Sequence, residues 1–255
     1  MDLGLTGKCA LITGSSRGIG RAIALALAGE GCRVALCARG GADLERAVAA
    51  ANERGGQAIG LTGDVTTPEG VQSISEGALA AFGAVDILVN NVGGSGARTW
   101  DAVDEADLRA ILDRNLWPAY RMSQALLPQM KARGAGAIVM ITSIWGREAG
   151  GGPTYNVAKA AEMSLAKAMA RDLAKHNIRV NSVAPGSVLF PGGGWERRQQ
   201  ADPAGIAAFV AYELPFARFG TPEEIADVVA FVCSPRASWI AGATLVVDGC
   251  QSRAF

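Results

Sequence analysis

The feature that most constrains this chain is a regular alternation of short, mainly apolar runs with segments of helical period. The runs are Lys8–Thr13 (KCALIT), Arg33–Ala38 (RVALCA), Gln57–Leu61, Val85–Val89 (VDILV), Ala137–Thr142 (AIVMIT), Ile178–Val183 and Ala243–Val247. After the first run, Ile19, Ile23, Ala26 and Leu27 fall on one helical face. Further helices are expected over Ala42–Arg54, from the Thr67 cap and Pro68 onward, and over Asp104–Lys131, Thr154–Lys175 and Pro222–Cys233. Pro118 and Pro128 are expected to bend or interrupt the Asp104–Lys131 helix. Strands that are apolar throughout, each followed by a helix, require a parallel sheet covered on both faces. No linker or internal repeat divides the chain, so residues 1–255 are expected to form one doubly wound α/β domain with a seven-stranded sheet.

Composition narrows the partners. Hydrophobic residues make up 49% of the chain and charged ones 19%, which excludes intrinsic disorder. Twenty-four basic residues balance twenty-four acidic ones, with no basic excess for a nucleic acid. No apolar run is long enough to span a membrane. The single histidine, His176, reads as a helix-terminal cation, and no metal site is expected. The five cysteines lack CxxC spacing, and the N-terminus has the wrong charge for a secretory signal. A reduced, cytoplasmic location is therefore expected.

Thr13-Gly14-Ser15-Ser16-Arg17-Gly18-Ile19-Gly20 occupies the first strand-to-helix junction. Glycines there permit a tight turn, a close backbone approach to a pyrophosphate, and tight packing of helix on strand. The helix N-terminus adds free N–H groups and a positive dipole end. At the end of the second strand, where an acid would bind the ribose 2′-hydroxyl of NAD, stand Ala38 and Arg39. Arg39 and Arg17 together suit a 2′-phosphate, through charge-assisted bonds of roughly 1.5–3 kcal/mol each. NADP(H) is thus the expected cofactor, with NAD(H) also possible.

Tyr155 and Lys159, four residues apart on one helix, point from the same face. An ammonium beside a phenol lowers its pKa by about 1–3 units, which makes it a usable acid/base for carbonyl/alcohol interconversion. Ser143 follows the fifth strand at the sheet's carboxyl edge, placed to orient a substrate oxygen.

The glycine turn, Asn90-Asn91-Val92-Gly93, Ser143, Tyr155-Asn156-Val157-Ala158-Lys159 and Pro185-Gly186 occur in this order along the whole chain. The set resembles the short-chain dehydrogenase/reductase family, in the branch of the 3-oxoacyl-carrier-protein reductases, and implies a Rossmann-type fold. The resemblance makes Tyr155 the proton donor in reduction and Lys159 the residue that lowers its pKa and holds the nicotinamide ribose. Ser143 steadies the substrate oxygen, and Asn115 supports a water relay. Along the cofactor it places Gly14, Ser15, Ser16, Arg17, Gly18, Ile19, Gly20, Arg39, Asp64, Val65, Asn91, Gly93, Pro185, Gly186 and Val188. Asp64 and Val65 would meet the adenine. It also implies a homotetramer.

The sequence departs from the family pattern twice. N-N-V-G replaces the usual N-N-A-G, and Ser187-Val188 stands where a threonine often meets the carboxamide, leaving backbone groups of Val188 to serve. Enoyl reductases of the wider family place six residues between Tyr and Lys, whereas this chain has three.

An irregular stretch at about 187–219 is expected to form a substrate lid, hinged at Gly192-Gly193-Gly194. It holds Phe190, Trp195, Phe209, Tyr212, Phe216 and Phe219, and Trp145 is expected to face the same site. Such a lining fits an apolar or cyclic ketone or alcohol. Alternatives are a 3-oxoacyl-carrier-protein substrate, an NAD-linked polyol or cyclic-alcohol dehydrogenase, and a non-catalytic dinucleotide sensor. The sensor has no need for Asn115, Ser143, Tyr155 and Lys159 together.

Overall fold

A computed structural model describes residues 1–255. Its seven strands are β1 (Cys9–Thr13), β2 (Arg33–Ala38), β3 (Gln57–Thr62), β4 (Ile87–Asn90), β5 (Gly136–Ile141), β6 (Ile178–Pro185) and β7 (Thr244–Val247). All pair in parallel, in the order β3-β2-β1-β4-β5-β6-β7. The helices are α1 (Gly18–Gly29), α2 (Gly41–Glu53), α3 (Pro68–Phe82), α4 (Glu105–Arg133), α5 (Pro153–Leu173), α6 (Gly194–Ala201), α7 (Pro203–Glu213) and α8 (Pro222–Cys233).

Strand alternation sends neighbouring residues to opposite faces. Ala10, Ile12, Val34 and Leu36 pack with α1, α2 and α8 on one side. Leu11, Ala35, Leu88 and Met140 pack with α3, α4 and α5 on the other. The central strands β1 and β4 are buried along their whole length, which is why they read as unbroken apolar runs. The order reverses between β1 and β4, and a ligand crevice opens at the carboxyl ends of strands on either side of such a reversal.

Two expectations need correction. α4 runs for 29 residues through Pro118 and Pro128, so the prolines do not interrupt it. Each proline leaves one carbonyl, of Arg114 and Gln124, without its usual donor, and the flanking turns carry the helix on. The 187–219 stretch is not irregular, because α6 and α7 lie within it.

Candidate active site

The turn between β1 and α1 is built by its glycines. Gly14 and Gly18 hold φ of +64° and +56°, in the left-handed region that favours glycine. A Cβ on Gly20 would stand 2.5 Å from the Gly14 carbonyl oxygen. No side chain caps the start of α1 and no acid lies in its first turn, so its leading N–H groups are free to meet an anion.

Ser15 differs from its neighbours. It is buried, its hydroxyl donates to the Ile12 carbonyl (2.9 Å) and accepts from Cys37 N–H (2.9 Å), and its side chain ties β1 to β2. Gly18 lies against the Phe190 ring, where a Cβ would come within 2.6 Å.

A groove of about 1260 Å³ runs along this edge, and Gly14, Ser16, Arg17, Ile19, Gly20, Arg39, Asp64, Val65, Asn91 and Gly93 all line it. Asp64 accepts from the Thr66 N–H (3.0 Å), and this bond, with help from Arg39, holds its carboxyl below the usual range. Asn91 braces the turn by donating to the Thr13 and Gly14 carbonyls (3.0 and 3.1 Å). Thr13, first in the glycine-turn motif but not among the expected cofactor contacts, accepts from the N–H groups of Asn91 and Val92 (2.9 and 3.2 Å) and so locks β4 to β1. Arg121 was also missed: it lines the groove while donating to the Thr66 carbonyl (2.7 Å).

Pro185 ends β6 away from this lining, and Gly186 and Val188 line a separate cavity of about 220 Å³ with Leu214 and Phe216. The Ser187 hydroxyl is taken up by Gln251, which donates to it (3.0 Å) and accepts from the Ser187 N–H (2.7 Å). The side chain at the threonine-like position is thereby committed to the C-terminal segment.

Beyond the turn, Asn115 and Lys159 both reach Gly93, Ser143 bonds Trp145, and the Trp145 ring lies across Gly151 from Tyr155; none of the four lines the groove itself. Asn115 is buried on α4 and pairs with Gly94 like a strand neighbour, accepting from its N–H (3.0 Å) and donating to its carbonyl (3.1 Å). A Cβ on Gly93 would stand 2.6 Å from Asn115 Oδ1 and 3.1 Å from Lys159 Nζ, so a side chain there would fill the gap between them. Ser143 Oγ is buried and accepts from the Trp145 N–H (3.2 Å), leaving its own proton to donate. Tyr155 is half-buried in the first turn of α5, with Lys159 Nζ 5.8 Å from its ring centre.

Trp145 reaches the same place: a Cβ on Gly151 would lie 2.6 Å from the Trp145 ring and 3.2 Å from the Tyr155 ring. The lid aromatics behave differently. Trp195, Phe209 and Phe219 pack together with centroids 4.6–6.2 Å apart, Phe209 stacked on both others and Trp195 tilted to Phe219. Tyr212 and Phe216 are exposed, and Phe190 lines the groove.

Residues 14–250 match the family model described as enoyl-(acyl carrier protein) reductase. The 3-oxoacyl-[acyl-carrier-protein] reductase of Escherichia coli K12 is 38% identical over 95% of this chain and 96% of its own. The chain belongs to the short-chain dehydrogenase/reductase family. L-sorbose reductase from Gluconobacter frateurii, solved with NADPH and L-sorbose, superposes with a TM-score of 0.94 at 35% identity over the full length of both chains. A 7α-hydroxysteroid dehydrogenase, solved with NADH and 7-oxo glycochenodeoxycholic acid, gives 0.90 at 35% identity over 98% and 96%.

The present chain is accordingly an NAD(P)-dependent oxidoreductase acting on carbonyl and alcohol groups. Its groove fits such a cofactor: glycines clear the wall, α1 presents unpaired N–H groups, and Arg17 and Arg39 stand along the edge. No helix is long and apolar enough to cross a membrane.

Proposed function

We propose that this chain reduces an apolar or cyclic ketone with NADPH. The observation that carries the cofactor choice is the pair Arg17 and Arg39 on the groove beside Ala38, with an arginine following where an acid would select NAD. Both guanidinium groups are exposed and unpaired with any carboxylate, so both can meet a 2′-phosphate. Side-by-side fluorescence titrations with NADPH and NADH test this. NADPH is expected to bind more tightly, and Arg39→Ala to weaken it about tenfold or more while sparing NADH. Equal affinities would sink the assignment.

The bound nicotinamide supplies the hydride, and the chain supplies position and the proton. Ser143 donates to the substrate oxygen and fixes its direction. Tyr155 gives its phenolic proton to that oxygen in reduction and takes one from the alcohol in oxidation. Lys159 keeps the phenolate accessible through its charge, and Asn115, fixed by Gly94, supports reprotonation from solvent. Tyr155→Phe is expected to lower turnover by about 10²–10⁴-fold at unchanged cofactor affinity. Unchanged turnover would remove Tyr155 from the chemistry.

Residues 187–219 act as the lid over one catalytic domain. Gly192, at φ +72°, lies at its hinge, and Trp145 beside Tyr155 gives the substrate an aromatic wall. The full-length likeness to L-sorbose reductase favours a second reading, a keto-sugar substrate. A panel of a 7-oxo bile acid, L-sorbose and a 3-oxoacyl thioester separates the two and also checks the carrier-linked alternative.

A further inference from the structure

Tyr155, Lys159 and Glu162 form one stripe down α5, and the third of them has no part in the chemistry above. Glu162 Oε2 accepts from Lys159 Nζ at 2.7 Å, and both side chains are buried, at 3% and 4% exposure. Lys159 also donates to the Ile141 carbonyl at 3.1 Å, which leaves one of its three N–H bonds free. An acid three residues after a lysine is ordinary on a solvated helix face, where such a pair contributes little. This pair is not on such a face. Burying a carboxylate is costly without a partner, and the one charged side chain within reach is the ammonium next to the phenol.

We infer that Glu162 is a positioning residue for proton transfer: it anchors Lys159 and, by its own ionisation state, sets how much positive charge Tyr155 experiences. The inference rests on the acid/base reading of Tyr155. With Glu162 ionised, the pair is neutral overall and its field at the phenol is weak. With Glu162 protonated, Lys159 stands as a full cation and favours the phenolate.

Burial pushes the Glu162 carboxyl above its ordinary range, against the pull of Lys159. Burial works against the charge on Lys159, yet the Glu162 carboxylate and Tyr155 outweigh it and hold the ammonium above its usual range. Few other charges face the pair. β5 and the Ile144–Gly146 turn carry no titratable side chain. β6 carries only Arg179, which donates to the carbonyls of Val232, Cys233, Ser234 and Ile240. The charged side chains of α4 are exposed, apart from half-buried Arg121 on the Thr66 carbonyl.

The test is a tyrosinate absorbance titration, which needs neither substrate nor cofactor. The chain has three tyrosines, Tyr120, Tyr155 and Tyr212, so subtracting the Tyr155→Phe curve isolates Tyr155. Glu162→Gln keeps the hydrogen-bond acceptor and removes the charge, and is expected to lower the Tyr155 midpoint by roughly one pH unit. Glu162→Asp keeps the charge and is expected to restore the wild-type midpoint. A Glu162→Gln midpoint at or above wild type overturns the inference, because a merely structural acid would leave the phenol where it was.

Should Glu162→Gln fail to fold, carboxyl-labelled glutamate NMR on the unmutated protein decides. One glutamate is expected to titrate well above the rest, with a matching inflection in the Tyr155 ring signals, and absence of that inflection equally overturns it. Loss of the Tyr155 assignment itself would show separately, as unchanged turnover in Tyr155→Phe.

Discussion

Gly20 lies in the first turn of α1, where helix propensity alone favours alanine over glycine by about 1 kcal/mol. The Cβ of that alanine would meet the Gly14 carbonyl and the Asn91 amide, both at 2.5 Å, and the former is backbone that cannot swing aside. The collision outweighs propensity. Gly20→Ala is expected to lose about 1–3 kcal/mol in denaturant unfolding and to weaken NADPH binding; a stabilised variant would show that the turn yields. At this scale glycine spacing and residue type located the turn, placed Arg17 and Arg39 on the groove, and set Tyr155 and Lys159 side by side. They did not disclose contacts that depend on where a side chain turns. Ser15 reads like any polar residue of a phosphate-binding turn, yet it points inward to Cys37. Glu162 reads as a solvated helix charge, and only the packing of α5 on the sheet buries it.

Helix termini and interruptions set the energetics at the level of elements. α8 opens with a capping box, in which Thr221 and Glu224 each accept from the other's N–H, and Glu224 also accepts from Arg218. The Arg218 bond foremost, then the Thr221 N–H, hold the Glu224 carboxyl down to about 2. Its folded value lies below the unfolded one of about 4.3, so the stabilisation is complete above that value and is lost as pH falls through about 2. The group is solvent-facing, and the effect is correspondingly small. The Tm gap between wild type and Glu224→Gln is expected to be constant above pH ~5 and to close toward pH ~2. A gap persisting at the acid end would mean that charge is not its source.

In α4, exposed Pro128 denies the Gln124 carbonyl a donor. Pro128→Ala restores that bond at the cost of a freer unfolded chain, and a net gain of about 1 kcal/mol or more in the denaturant midpoint is expected. Elements with a buried face were legible: the two-faced strands as apolar runs, and α1 and α8 by their period. α6 and α7 were not, because neither has a buried residue and so neither imposes a pattern on its sequence. The uninterrupted α4 was illegible for another reason: proline's local cost is visible in sequence, whereas the packing of Met122, Leu126 and Met130 that holds the helix together is not.

Over the whole molecule, nine large apolar side chains are exposed. Trp117 and Tyr120 stand edge to face on α4, exposed to 41% and 39%, with Val157 half-exposed on α5, the helix packed beside it. Trp239, before β7, is 98% exposed. An exposed apolar cluster such as that of Trp117, Tyr120 and Val157 suits contact between copies, and a formal net charge of zero puts no long-range repulsion between them. Sedimentation velocity is expected to give four times the chain mass. Trp117 and Tyr120 lie on α4 and Trp239 in the turn before β7, and each is expected to hold its own set of contacts between copies. Trp117→Asp and Trp239→Asp are therefore each expected to yield dimers, and the double variant monomers, because a buried unpaired carboxylate is costly at either surface. A wild-type monomer would end the tetramer assignment. A tetramer indifferent to both substitutions would move its contacts elsewhere on the molecule.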